Sequence, residues 1–248
     1  MSTSSHTTPR PPSVFVTTHW SVVLQAGASD TTQARDALAR LCETYWYQLY
    51  AFARRRGYAA HDAQDLTQEF FLRLLAGQWL AQADRERGRF RSFLLSTFKH
   101  FLANEWHKSR TLKRGGGVSI VSFDALSAEQ RYARDAAFDR PAETNFDRQW
   151  ALTLLDTVLA QLEAEYRGEG KADQFAVLKD SLAADHGTLR YAELASRLGQ
   201  SEGAVRVAVH RLRQRYRKLL RADVANTVAE PNEVEEELRH LFQVLANG

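Results

Sequence analysis

Residues 189–221 read LRYAELASRLGQSEGAVRVAVHRLRQRYRKLLR. Leu189, Ala192, Leu194, Ala195 and Leu198 can pack from one short helix. Gly199 suits the left-handed residue that closes a helix, and the Ser201 hydroxyl can cap the next one. In that second helix Val205, Val209, Leu212 and Tyr216 recur at steps of three and four and form a buried stripe. Glu202, Gly203, Arg206, Val207, His210 and Arg213 are left on the opposite or leading face. A tight turn followed by a cationic second helix predicts a helix-turn-helix. In the DNA-reading form the start of the second helix enters the major groove. Arg can then grip guanine at O6 and N7, and Glu can accept from cytosine N4, each match discriminating by about 1–3 kcal/mol. Arg211, Arg215 and Arg217 lie further along, where phosphate contact or plain solvation is expected. The same residues also admit an ordinary helical hairpin with a charged face.

Outward from this motif, charge is unevenly placed. The 248 residues carry 33 Lys+Arg and 30 Asp+Glu, a net charge of only +3. Residues 201–221 hold seven basic residues against Glu202 alone, whereas 222–248 hold six acids against Arg239. A second basic run, 85–114, has nine cations (Arg85, Arg87, Arg89, Arg91, Lys99, Lys108, Arg110, Lys113, Arg114) against Glu86 and Glu105. Two basic patches suggest one polyanion touched at two places. The single Cys42 excludes a disulfide framework and a Cys-based zinc finger. No apolar run is long enough for a membrane span, and MSTSSHTTPRPPS lacks a signal-peptide core, so a cytoplasmic protein without a membrane partner is expected.

Helical periodicity dominates, no strand pattern is convincing, and the expected class is all-α. Residues 1–17 should be disordered. A first helical domain is expected over 18–114. There Leu38, Leu41, Cys42, Tyr45, Leu49, Phe52 and Ala53 form one face, and Gly57 ends the helix. Asp62 is a candidate N-cap for the next helix, with Leu66, Phe70 and Leu74 as its stripe. A third helix is expected over about 89–110 around Phe90, Phe93, Leu94, Phe98, Phe101 and Leu102. Gly115-Gly116-Gly117 opens an acidic linker, 115–146, in which the period is lost. It resumes at Trp150, Leu154, Val158 and Leu162, within a second helical domain over 147–222 that ends in the helix-turn-helix.

The segment DAQDLTQEFFLRLL, residues 62–75, has a polar face on which Asp65, Gln68 and Glu69 are helical neighbours beside Leu66. A solvated acidic face is the plain reading. A metal or acid–base role would need a His or a further acid at ligand spacing, and neither stands there. No catalytic residue, metal site or cofactor is expected, since no nucleophile–base set or phosphate loop is apparent.

Together the two motifs resemble the bacterial RNA polymerase sigma factors, most closely the extracytoplasmic-function (ECF) group. DAQDLTQEFFLRLL is similar to region 2 of that family, and YAELASRLGQSEGAVRVAVHRLRQRYRKLL to its region 4, in the family's order. The resemblance covers about 35–112 and 150–221. It implies a factor that binds core RNA polymerase, at the β′ clamp helices and the β flap, and directs promoter-specific initiation through −10 and −35 elements. It places Asp65, Leu66, Gln68 and Glu69 on the clamp helices. It places Lys99, His100, Asn104, Trp106, His107, Lys108, Arg110, Lys113 and Arg114 at the −10 element. Phe98, Trp106 and His107 there could hold a flipped base while the cations hold the strand, but most of the phenylalanines recur at helical spacing and fit the core better, and Trp106 admits either role. Ser201, Glu202, Arg206, His210, Arg211 and Arg213 fall at the −35 element. Phe93, His100 and Asn104 depart from the family's usual Trp, Asn and Asp, which bears on the −10 base selected. A stand-alone helix-turn-helix regulator is the alternative function.

Residues 223–248 extend beyond this pattern. Val234, Leu238, Leu241, Phe242 and Leu245 predict an amphipathic helix after Pro231, with Glu233, Glu235, Glu236 and Glu237 in its first turn. Packing on the protein's own core and a regulatory latch over either domain are both open. An anti-sigma protein and a regulatory kinase are the other partners such a factor admits.

Overall fold

The computed structural model describes residues 45–76, 89–109, 125–136, 140–184, 189–228 and 231–247. The N-terminal segment 1–17, the start of the first helix with Leu38, Leu41 and Cys42, and the Gly115–Gly117 junction lie outside them. Among the described residues the chain is all-helical, as expected. It comprises α1 (45–55), α2 (Ala60–Leu75), α3 (Phe90–Ser109), α4 (Ala125–Ala136), α5 (Ala142–Gly168), α6 (Ala172–Leu178), α7 (Tyr191–Leu198), α8 (Glu202–Ala225) and α9 (Val234–Ala246). Short 3₁₀ turns, Lys179–Leu182 and Pro231–Glu233, follow α6 and precede α9.

The first core is aromatic. Phe52, Phe70, Phe90 and Phe98 are fully buried between α1, α2 and α3, with Phe70 and Phe98 in an edge contact at 4.9 Å. Phe98 is therefore packed inside the bundle, in line with the core reading of the phenylalanines. Gly57, at φ +93°, ends the chain's path out of α1 with its N–H on the Arg54 carbonyl. Helix α2 begins two residues before the expected cap. Asp62 sits in its first turn, where a carboxylate meets the positive end of the helix, and Ala59 occupies the cap position.

The acidic segment is more ordered than its lost period suggests, for α4 packs on α1. Tyr47 donates to Asp135, and Tyr50 donates to Glu129. Arg54 reaches both Glu129 oxygens, at 2.8 and 3.2 Å. Arg55 binds the Asp135 and Arg140 carbonyls, and the Arg131 guanidinium lies 3.9 Å from the Tyr47 ring centroid. Helix α5 likewise starts at Ala142, eight residues before Trp150. Its first turns bury Asn145 and Gln149 beside Phe146, so polar residues stand where an apolar stripe would have marked the helix.

Two long helices carry the rest. At 1.5 Å per residue, α5 (27 residues) and α8 (24 residues) are about 40 and 36 Å long. Both contribute to two cores. Phe146, Trp150, Leu154 and Val158 of α5 and Leu220 and Val224 of α8 join the aromatic core. Leu162 of α5 and Val205, Val209 and Leu212 of α8 join Phe175, Leu178 and Ala195 in a second one. Helix α9 adds Val234 and Leu241 to the first core.

Candidate nucleic-acid interface

The α7–turn–α8 unit is built as its residues require. Gly199 adopts φ +62° and closes α7 through bonds to Ala195 and Ser196. The Ser201 hydroxyl caps α8 by accepting from the Ala204 N–H at 3.3 Å. Val205, Val209 and Leu212 are buried, and Tyr216 is half-buried, so the register of α8 follows its apolar stripe. That register leaves Ser201, Glu202, Arg206, Val207, His210 and Arg211 exposed along the first turns. The Arg206 guanidinium rests 4.2 Å from the Tyr191 ring centroid and 3.8 Å from Glu202.

The other arginines of α8 are employed differently. Arg213 donates to the Ser181 carbonyl at 2.6 Å and also to that of Ala184, which ties α8 to the end of the 3₁₀ turn. Arg215 forms a two-pronged pair with Glu165 of α5, one prong at 2.7 Å. Its guanidinium is held charged chiefly by that hydrogen bond. Arg221 pairs with Glu235 in the first turn of α9. Arg217 and Lys218 are exposed.

On the first bundle, α2 presents the polar ridge. The Asp65 side chain is 64% exposed and lies 3.0 Å from His61. Gln68 and Leu66 are half-buried, Leu66 packing against the aromatic core. Glu69 is fixed by Arg73 at 2.7 Å, and Arg73 also holds Glu105 of α3 at 2.8 Å above the Phe101 ring. Burial opposes the charge on Arg73, but its bonds to Glu69 and Glu105 outweigh this and raise its pKa. Arg73 and Glu105 thus orient one acid of the ridge, although neither stood out in the sequence.

Helix α3 exposes His100 and Asn104 on one side, four residues apart. Lys99 is turned to Glu143 at 2.8 Å, which lowers the Glu143 pKa, and its ammonium lies 5.8 Å from the Phe52 ring centroid. The side chains of Trp106, His107 and Lys108, and residues Arg110, Lys113 and Arg114, lie outside the described part. Among the described residues, no group of three or more His, Cys, Asp or Glu could hold a metal ion, and no helix is long and apolar enough to cross a membrane.

Neither a curated protein nor a solved structure matches the chain. A family comparison does find a match, over α1 to α3 and their connections. Residues 41–111 match the family model of Sigma-70 region 2, and this match supports a sigma-70-type RNA polymerase sigma factor.

Proposed function

We propose that the chain is a sigma factor of the ECF group, which joins core RNA polymerase and directs initiation at promoters with −10 and −35 elements. The observation that carries this is the region 2 match over a bundle whose α2 ridge, Asp65, Gln68 and Glu69 beside Leu66, stands at the surface. That ridge would dock on the β′ clamp helices, with the helix-turn-helix domain on the β flap. His100 and Asn104, with Lys99 and the run from Trp106 to Arg114, would meet the −10 element. Exposed Ser201, Glu202, Arg206, His210 and Arg211 would meet the −35 element. Arg213 would serve that contact by holding α8 to the 3₁₀ turn. The factor acts by binding, and the nucleotide chemistry belongs to the polymerase. Regulation by an anti-sigma protein or a kinase would be superimposed on this activity.

The test is run-off transcription with purified core polymerase across genomic fragments, paired with co-elution of the chain and core enzyme. Specific start sites and a stable complex are expected. Sequence-specific DNA binding without polymerase association would instead establish a stand-alone regulator.

A further inference from the structure

Two large apolar side chains are exposed among the described residues, Val207 at 49% and Phe242 at 56%. A lone exposed apolar residue is ordinary on a protein surface. What distinguishes Val207 is its place. It stands in the second turn of α8, and its neighbours on the same helix face are all exposed, Gly203 and Ala204 before it and His210 and Arg211 after it. Val205 and Val209, two residues away on either side, are 0% and 2% exposed. They fix the register of α8, so Val207 cannot turn inward without taking them out of the core.

Gly203 is a second local cost on that face. Its φ is not in the left-handed region, and a Cβ built on it would meet no atom of the surrounding protein within 4 Å. Neither backbone strain nor crowding therefore requires glycine, although glycine weakens a helix relative to alanine. Valine, too, forms helix less readily than alanine, and here it contributes little burial in return. Two residues one turn apart are thus ones that the fold itself does not ask for, and such local departures mark sites of function. Together they leave a low apolar step on a helix face that also carries exposed Arg206 and Arg211.

We propose that Val207 is a base-reading residue: its methyl groups meet the 5-methyl group of a thymine in the major groove, and Gly203 provides the clearance for that approach. The proposal rests on the reading of α8 as the −35 helix. Arg206 and Arg211 supply attraction to the duplex, but valine offers neither donor nor acceptor. The thymine methyl is the apolar group that the major groove presents. A polar base edge set against Val207 would lose its water and gain no partner, so the residue selects by exclusion as well as by contact. Burial of one methyl group corresponds to about fourfold in affinity.

The test scans the upstream element of a promoter fragment that supports run-off, replacing each thymine in turn by deoxyuridine, which removes the 5-methyl group alone. Holoenzyme with the wild-type chain should lose about fourfold in affinity at one position. Val207→Ala should bind the parent fragment about fourfold more weakly and show no further loss at that position. Gly203→Ala should keep at least the wild-type urea midpoint and yet bind the parent fragment about fourfold more weakly or worse. A wild-type holoenzyme indifferent to every replacement, or a Val207→Ala holoenzyme that retains the loss, overturns the proposal and leaves the sigma reading intact. Unimpaired binding by Gly203→Ala overturns the clearance. If the wild type gives no run-off the sigma reading falls, and the same scan with the full chain alone, on the duplex it selects, still judges the contact. A chain that selects no duplex overturns both.

Discussion

The Arg206 guanidinium rests over the ring of Tyr191, 4.2 Å from its centroid. The contact spans the turn between α7 and α8 and gives the 60%-exposed arginine a preferred direction. Arg206→Ala should cost about 1–3 kcal/mol of promoter affinity and relax selectivity at one −35 position. Tyr191→Leu should give a smaller loss at that same position. Lys113→Ala, by contrast, should weaken binding to all sequences alike and flatten its salt dependence. Titrations against a set of singly substituted −35 sites separate these outcomes. Equal, sequence-independent losses for all three variants would remove Arg206 from base reading.

Arg213 presents the opposite case, a cation whose donors are spent inside the protein. Arg213→Ala leaves the carbonyls of Ser181 and Ala184 without its guanidinium, and Ser181 is buried. A destabilisation of about 1–3 kcal/mol is expected, read as a lower urea midpoint. Promoter selectivity should be unchanged at temperatures where the variant remains folded. A loss of selectivity without a loss of stability would return Arg213 to the reading face.

Much of this arrangement is written locally in the chain. The Gly199 turn, the Ser201 cap and the Val205–Val209–Leu212 stripe act within a few residues of each other, so spacing alone exposes them. The partners of Glu129 and Asp135 were hidden because Tyr50 and Tyr47 stand 79 and 88 residues away. Those acids therefore looked like part of a solvated tether. The start of α5 was obscured by buried Asn145 and Gln149, which break a hydrophobic count without breaking the helix. Glu237 is the extreme instance. In sequence it is one of a run of first-turn acids, while in the fold it accepts from Arg91, 146 residues distant. Periodicity exposes faces, but it does not say which distant face will cover them.

Substitutions on the α2 ridge separate the proposed docking from folding. Because Asp65 is 64% exposed, Asp65→Arg should shift stability by no more than about 0.5 kcal/mol. It should nonetheless abolish co-elution with core polymerase. Glu69→Lys should impair docking too, but it also places a cation against Arg73, which Glu69 now holds at 2.7 Å. Its melting temperature should therefore fall as well. Normal holoenzyme assembly by Asp65→Arg would show that the docking surface is elsewhere.

The α1–α4 contact predicts an asymmetric response to alkali. Burial, then the hydrogen bond to Asp135, pushes the Tyr47 phenol well above its ordinary range, and burial with the bond to Glu129 does the same to Tyr50. Tyr216 is pushed up to about 12 by burial and the charge of Asp156. In the unfolded chain these phenols titrate near about 10. Below that pH both states keep the protons and the full stability is present. Above it the unfolded chain releases protons that the folded chain retains, so stability falls as pH rises. The slope approaches about 1.4 kcal/mol per pH unit for each buried tyrosine. Tyr47→Phe and Tyr50→Phe should each lower the urea midpoint at pH 7, because Asp135 or Glu129 loses a donor, and each should make the decline above pH 10 shallower. At the acid end the sign reverses for Glu129, whose pKa is lowered chiefly by its hydrogen bond to Arg54. Its contribution is complete above the unfolded carboxylate range and disappears as pH drops through the lower folded value. A wild-type alkaline limb no steeper than that of the double Phe variant would show that these phenols are not held protonated by α4.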